Sequence, residues 1–204
     1  MRLRNLIRVN EEATPPVDII QESDTRFDDR CHAVLLKISS LAAPEEQAVI
    51  STITLEIAND PNQVDKMYAR VKSRKIYVDE EEFTGAPISV LIFLIAHEAA
   101  HIILNHQSAV AQQSQQQELA ADAWAAGIIS KLNIDKVPVF TWLGRRKNEL
   151  ERRLKLERDP ANADFFKNQS HPTTDQRMQQ GKELGVELSK ANTDQIDQLL
   201  KHMA

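Results

Sequence analysis

Two histidines and a glutamate lie within one of the most apolar stretches of the chain, residues 88–104, where residues 97–101 read HEAAH. Four residues on an α-helix span about 400°, so His97 and His101 project from one face and can chelate a single metal ion. Glu98 lies beside them, close enough to hold a water molecule at the metal. Zinc is the natural occupant of such a pair. A five-residue pattern also arises by chance, but its placement on a long apolar helix favours one Zn²⁺ per chain with Glu98 as a catalytic residue.

A third metal ligand is expected outside this motif, because catalytic zinc sites usually have three protein ligands. Glu118, in the sequence ELAAD, is the candidate. If the first helix extends to about residue 107 and the next begins near 112, a rise of about 1.5 Å per residue brings Glu118 level with His101 on an antiparallel neighbour. Asp122 is then level with His97 and could accept its outward N–H. Either carboxylate could instead be a surface residue of an amphipathic helix.

A further candidate, His171, lies in the sequence SHPTTDQRM at residues 170–178. A proline follows it, and the next residues have the spacing of a capping box, so the imidazole would be presented just before a helix. Three roles compete: a donor that stabilises the oxyanion, a fourth zinc ligand, and a surface residue. A fourth ligand would leave Glu98 without a water to activate, which favours the donor. Arg177 either anchors this segment through a carboxylate or is a solvated arginine, and we favour the anchor.

The remaining histidines and the single cysteine give weaker predictions. His106 is five positions beyond His101, about 140° round a continued helix, so it is expected to be a charge or cap at the helix end and not a ligand. His32 and His202 are taken as incidental. Cys31 is the only cysteine and is expected to be a small hydrophobic core residue.

The combination of motifs resembles a known group of enzymes. HEAAH followed by ELAAD is similar to the gluzincin zinc metallopeptidases, and SHPTTDQRM resembles the His-Pro and downstream arginine motif of the HtpX and CaaX prenyl protease group. The order of elements also matches over about residues 74–178. Those relatives usually carry transmembrane helices and a longer insertion before the third ligand, so this chain resembles a small soluble form. A more distant likeness is to the larger Lit phage-exclusion peptidases.

The resemblance implies a zinc metalloendopeptidase that acts on a protein or peptide, with Glu98 as the general base for a zinc-bound water. A rival of another class is a metal-stabilised binding or regulatory protein without turnover. A third possibility is a zinc hydrolase with a substrate other than a peptide. A protein without turnover would not need a glutamate at position 98, and this favours an enzyme.

The elements that must position these residues are mostly helices. We predict an α+β, mainly helical fold in which a small β-sheet lies beside the HExxH helix and an antiparallel glutamate helix. Alternation within residues 74–83, followed by a turn, predicts a strand, and the HExxH helix is expected to begin near Pro87. The strand around residues 76–78 could present an edge to an extended substrate. The acidic run at 80–82 would favour a basic substrate or form a solvated face.

The rest of the chain is assigned from spacing and breakers. Residues 1–26 are irregular, with LIRV and VDII as possible strands, and QQSQQQ is expected to be a solvated loop and helix start. Further helices are predicted at 26–43, 44–60, 117–132, 142–159, 170–185 and 192–203. The helix at 142–159 is either a solvated outer helix or a coiled-coil surface. We divide the chain into an N-terminal helical region (1–73), a catalytic core (74–185) and a C-terminal helix (186–204), in one compact domain.

Composition limits the possible partners and location. The 204 residues are 42% hydrophobic, which can supply a core. The net charge is −5, only 5% of residues are aromatic and no Lys/Arg cluster interleaves with aromatic residues, so nucleic acid is not an expected partner. The N-terminus lacks the apolar region of a signal peptide, and ionisable groups in the apolar run argue against a membrane span. A cytoplasmic location is expected, and no signal indicates an oligomeric state.

Overall fold

The structure is a computed structural model that describes residues 26–59, 66–107, 111–134, 139, 141 and 142, with the backbone alone for 111–115. The predictions for the N-terminal strands, for the helices beyond residue 142, and for His171, Arg177 and His202 lie outside the described residues.

The first two helices begin as predicted, but the second is much shorter. Helix α1 spans Phe27–Leu41, and α2 spans Pro44–Ile50 with its proline in the first turn. The prediction of a helix over residues 44–60 is wrong in its second half, because Thr54–Ile57 form strand β1. Three consecutive β-branched residues at positions 52–54 oppose a continued helix. Their backbone is then available to pair with another strand.

The sheet has three strands in the order β1-β3-β2. Strand β2 spans Met67–Arg70, a short 3₁₀ turn follows, and β3 spans Lys75–Val78. Strand β1 is parallel to β3 and β2 is antiparallel to it. The predicted strand is therefore present, but it is the central strand. Because both of its edges are already paired, the expectation that residues 76–78 offer an edge to a substrate is wrong.

The acidic residues after β3 form a helix and do not continue the strand. Helix α3 spans Glu80–Phe83, and the side chain of Asp79 accepts a hydrogen bond of 3.0 Å from the backbone N–H of Glu82. Lys66 Nζ lies 3.1 Å from the other oxygen of Asp79. This cap ends the strand and redirects the chain towards the next helix.

Helix α4, Ile88–Ile103, is the centre of the fold. It packs against α1, α2 and the sheet, and against α5, which spans Ala111–Lys131. Its first residue follows Pro87, as predicted, and most of its side chains are buried. Enclosure on several sides explains why it is apolar nearly all round. No helix in the described part of the chain is both long and apolar enough to cross a membrane.

Polar contacts fix α5 against the N-terminal helices. Trp124 Nε1 donates to Glu46 Oε1 at 2.9 Å, and the second oxygen of Glu46 accepts from the backbone of Ala43 at 2.8 Å. Lys131 Nζ donates to the carbonyl oxygen of Leu41 at 2.9 Å, at the end of α1. These contacts at two points along α5 limit its rotation and set which of its side chains face α4.

The single cysteine belongs to the core, as the sequence suggests. Cys31 is fully buried in α1 within the hydrophobic cluster. Burial raises the pKa of its thiol to about 12. A neutral, enclosed thiol is a poor nucleophile.

Candidate metal centre

The site is built from the facing sides of α4 and α5. His97 and His101 are one turn apart on α4, and Glu118 lies on α5. His101 lies close to Glu118, and His97 lies close to Asp122. The residue numbers therefore increase in opposite directions along the two facing helices. The helices are therefore antiparallel, with the register that the spacing predicts. Helix α4 ends at Ile103, earlier than the expected end near residue 107.

Three potential ligands, His97, His101 and Glu118, form a compact triangle of side chains in which one ligand atom of each lies within 4.8 Å of the others. The Nε2 atoms of His97 and His101 are 3.1 Å apart. His97 Nε2 lies 3.3 Å from Glu118 Oε2, and His101 Nε2 lies 3.3 Å from Glu118 Oε1. His97 and Glu118 are buried, and His101 is partly buried. The structure thus brings together three of the residues that the sequence singles out.

These dimensions fit a small divalent cation. A tetrahedral ion with ligand bonds of about 2.0–2.1 Å has edges of about 3.3 Å between its ligands. The measured separations are close to that edge, with one carboxylate oxygen of Glu118 facing each imidazole. Two imidazole nitrogens and a carboxylate are a donor set used by catalytic metal sites. His97, His101 and Glu118 could therefore hold one metal ion.

Asp122 fixes the orientation of the first imidazole. His97 Nδ1 lies 2.9 Å from Asp122 Oδ1, and both side chains are buried. With Nδ1 donating to this carboxylate, Nε2 is the ring nitrogen turned towards Glu118, and it is the atom that a metal ion would take in place of a proton. Burial by itself would lower the pKa of His97, but the hydrogen bonds and charges of Asp122 and Glu118 outweigh it and raise the pKa to about 10. Such a strongly negative setting also favours a metal cation.

His106 lies against the second imidazole, a contact that the sequence reasoning missed. Its Nδ1 is 2.9 Å from Nδ1 of His101. The predicted position of His106, about 140° from His101 round a continued helix, is wrong because α4 ends at Ile103 and the chain then reverses. Burial, followed by the charge of His101, lowers the pKa of His106 to about 4, so this ring is neutral near pH 7.

A Schellman motif produces this reversal. Asn105 has a left-handed φ of 52°, and the backbone N–H of His106 donates to the carbonyl of His101 at 2.9 Å. The N–H of Asn105 donates to Ile102 in the same way, at 3.2 Å. Asparagine is one of the few residues that tolerate this conformation. The Asn at position 105 was therefore the available signal for the helix end.

Of the remaining candidate residues, the structure describes Glu98 and His32. Glu98 follows His97 directly on α4 and is half-buried, so it is more accessible than its neighbour. His32 lies away from the site on α1, where its Nδ1 is 3.0 Å from Asp28 Oδ1 and both side chains are largely exposed. His171 and Arg177 are outside the described residues, and their roles stay predictions.

Comparison with known proteins gives one match. The family model described as Peptidase U49 matches residues 37–143, a little more than half of the chain. The matched range includes α4 and α5 and hence all four residues of the His97, His101, Glu118 and Asp122 cluster. No curated protein and no solved structure matches the chain.

Proposed function

The chain belongs to the peptidase U49 family, and from this premise we propose that it is a zinc metalloendopeptidase. In this proposal His97, His101 and Glu118 hold the zinc ion, and Glu98 is the general base. The cluster of His97, His101 and Glu118, with one potential ligand atom of each within 4.8 Å of the others, is the observation that carries it. The protein is then a gluzincin-type enzyme, as the HEAAH and ELAAD motifs suggest.

The chain's own residues prepare the site for the reaction. Asp122 accepts the Nδ1 proton of His97, which leaves the Nε2 lone pair of that ring for the metal. Glu118 adds a negative charge in a buried position, where its interaction with a cation is screened less than at the surface. When bound, zinc supplies a Lewis acid that lowers the pKa of water and stabilises negative charge on the substrate oxygen.

Glu98 carries out the proton transfers. Glu98 follows His97 directly on α4 and is half-buried, which supports a carboxylate that water and substrate can reach. It accepts a proton as water attacks the peptide carbonyl, and it then donates that proton to the departing amine. This assignment explains why the motif retains a glutamate, which a protein without turnover would not need.

His171 is proposed as the donor that stabilises the oxyanion, with Arg177 anchoring its segment. This part of the proposal, like the likeness to the HtpX and CaaX prenyl protease group, is supported by the sequence SHPTTDQRM alone. A protein or peptide is the proposed substrate, in keeping with the peptidase family.

The test combines metal analysis with cleavage of a peptide library. We expect about one zinc per chain in both wild type and Glu98→Gln, because the three ligands are untouched. The amide cannot accept the water proton, so turnover should fall by about 10²- to 10⁴-fold, the usual contribution of a general base.

Glu45→Gln is the matched control. Glu45 is an exposed glutamate in the first turn of α2, so the same chemical change there should leave turnover at the wild-type level. Unchanged turnover in Glu98→Gln would contradict the mechanism, whereas absence of zinc from active wild-type protein would contradict the metal assignment.

A further inference from the structure

His101 has two ring nitrogens with different surroundings. Its Nε2 faces His97 Nε2 at 3.1 Å and Glu118 Oε1 at 3.3 Å, within the ligand triangle. Its Nδ1 is on the other side of the ring and lies 2.9 Å from Nδ1 of His106. The rings of His101 and His106 are nearly perpendicular, at 76°, with centroids 4.9 Å apart. The geometry is that of an N–H···N hydrogen bond between two imidazoles.

Metal binding at His101 fixes the direction of this bond. A metal takes the lone pair of Nε2, so the single ring proton of the neutral imidazole must be on Nδ1. His101 is then the donor, and His106 Nδ1 must be the acceptor, with the His106 proton on its Nε2. His106 can play this part only as a neutral ring in that one tautomer.

We propose that His106 is a positioning residue that holds His101 in the tautomer and orientation required for metal binding. It would act on His101 as Asp122 acts on His97, but with a neutral acceptor in place of a carboxylate. The inference rests on the proposed function, since it assigns the support of one proposed ligand. It adds a residue that lies outside both the HEAAH and ELAAD motifs.

The backbone supports this role independently of the side-chain contact. The Schellman motif at the end of α4 includes a 2.9 Å hydrogen bond from the N–H of His106 to the carbonyl of His101. The two residues are therefore joined by main chain as well as by side chain. These two contacts limit the motion of the His106 ring and hold it in a defined position beside His101.

A ligand role for His106 fits the geometry less well. Its Nδ1 lies against the Nδ1 side of His101, which is the side of that ring turned away from Glu118. An ion bound between His101 Nε2 and Glu118 would face the opposite edge of the ring. His106 consequently contacts a ligand and does not complete the ligand triangle.

The experiment measures zinc affinity of the full-length protein by competition with a chromophoric chelator. His106→Phe keeps a ring of similar shape but removes the acceptor, and we expect it to bind zinc about 10- to 100-fold more weakly than wild type. His106→Asn places an amide oxygen near the position of Nδ1, so it should retain most of the affinity. His32→Phe removes a surface histidine on α1 and should leave the affinity unchanged.

The variants separate positioning from simple packing. Equal zinc affinity of His106→Phe and wild type would overturn the inference and leave the proposed function intact. The same conclusion would follow if His106→Asn bound zinc as weakly as His106→Phe. Failure of wild type to bind zinc would overturn the proposed function and the inference with it. In zinc-loaded protein labelled with ¹⁵N, a coupling between Nδ1 of His101 and Nδ1 of His106 should be visible, and protonation of His101 at Nε2 would contradict the assignment.

Discussion

The two histidines of the HEAAH motif are supported in different ways. His97 is buried and meets the carboxylate of Asp122 at 2.9 Å, whereas His101 is partly buried and meets the neutral ring of His106 at the same distance. A carboxylate acceptor makes an imidazole more electron-rich than a neutral acceptor does. His97 is accordingly expected to be the more strongly held of the two proposed ligands.

Asp122→Asn tests this difference at the residue scale. The amide keeps the shape of the side chain but removes the charge that accepts the His97 proton, so we expect zinc affinity to fall by about 10- to 100-fold. Chelator competition gives the affinity, and circular dichroism checks that the fold is retained.

Asp28→Asn is the corresponding control, because Asp28 also lies 3.0 Å from a histidine Nδ1 but at the surface of α1. Its zinc affinity should equal that of wild type. An unchanged affinity in Asp122→Asn would make Asp122 a structural partner and not a support of the metal site.

At the scale of elements, the ends of helices decide where the site residues lie. Helices α4 and α5 both end in a Schellman motif with an asparagine at φ 52°, Asn105 and Asn133. The first of these ends returns His106 to His101. The beginning of α3 is fixed differently, by the side chain of Asp79. Each of these ends uses a residue type suited to its backbone conformation.

Asp79→Ala should destabilise the protein by about 1–2 kcal/mol, the usual loss for a helix N-cap. Burial opposes ionisation of Asp79, but the N–H of Glu82 and the ammonium of Lys66 outweigh it and hold its pKa below the ordinary value of 3.8. A lowered pKa stabilises the folded state above about pH 4 and ceases to do so as the carboxylate is protonated in the native state.

The difference in unfolding free energy between wild type and Asp79→Ala should therefore shrink from pH 6 towards pH 3, as measured by urea denaturation. Asp29→Ala, at an exposed acid in the first turn of α1 that makes no cap hydrogen bond, should cost clearly less at pH 6. A difference that stays constant over this pH range would contradict the ionic contribution of Asp79.

At the scale of the whole molecule, the proposed metal would join α4 and α5, which pack extensively against each other. α4 supplies two of the ligands and α5 the third, and Trp124 and Lys131 fasten α5 to the N-terminal helices. An ion bound at this junction stabilises the folded chain, because the unfolded chain does not hold the three ligands together.

Zinc should therefore raise the melting temperature of the metal-free protein. At a free concentration about 100 times the Kd, binding adds about 2.7 kcal/mol to stability, which for a chain of this size corresponds to roughly 5–10 °C. Differential scanning fluorimetry with and without a chelator measures the shift. His101→Ala should show a much smaller rise, and an equal rise in that variant would indicate that zinc binds elsewhere.

The sequence by itself determined the local features of this protein. The apolar run after Pro87 and the four-residue spacing of His97 and His101 fix a helix with two imidazoles on one face, since both depend only on helical geometry. The position of Glu118 level with His101 could also be predicted from the sequence, because two helices joined by a short connection are expected to be antiparallel. The mainly helical α+β class follows from the same periodicities.

Tertiary structure decided the features that depend on contacts between distant segments. Residues 54–57 became a strand because β3 was available to pair with them, and the same pairing placed β3 in the centre of the sheet, where it has no free edge. His106 reached His101 only because α4 stops at Ile103, a few residues before the expected end near residue 107. Periodicity describes the face of a helix, but it does not fix where the helix ends or which strands become neighbours, because those are set by the packing of the whole chain.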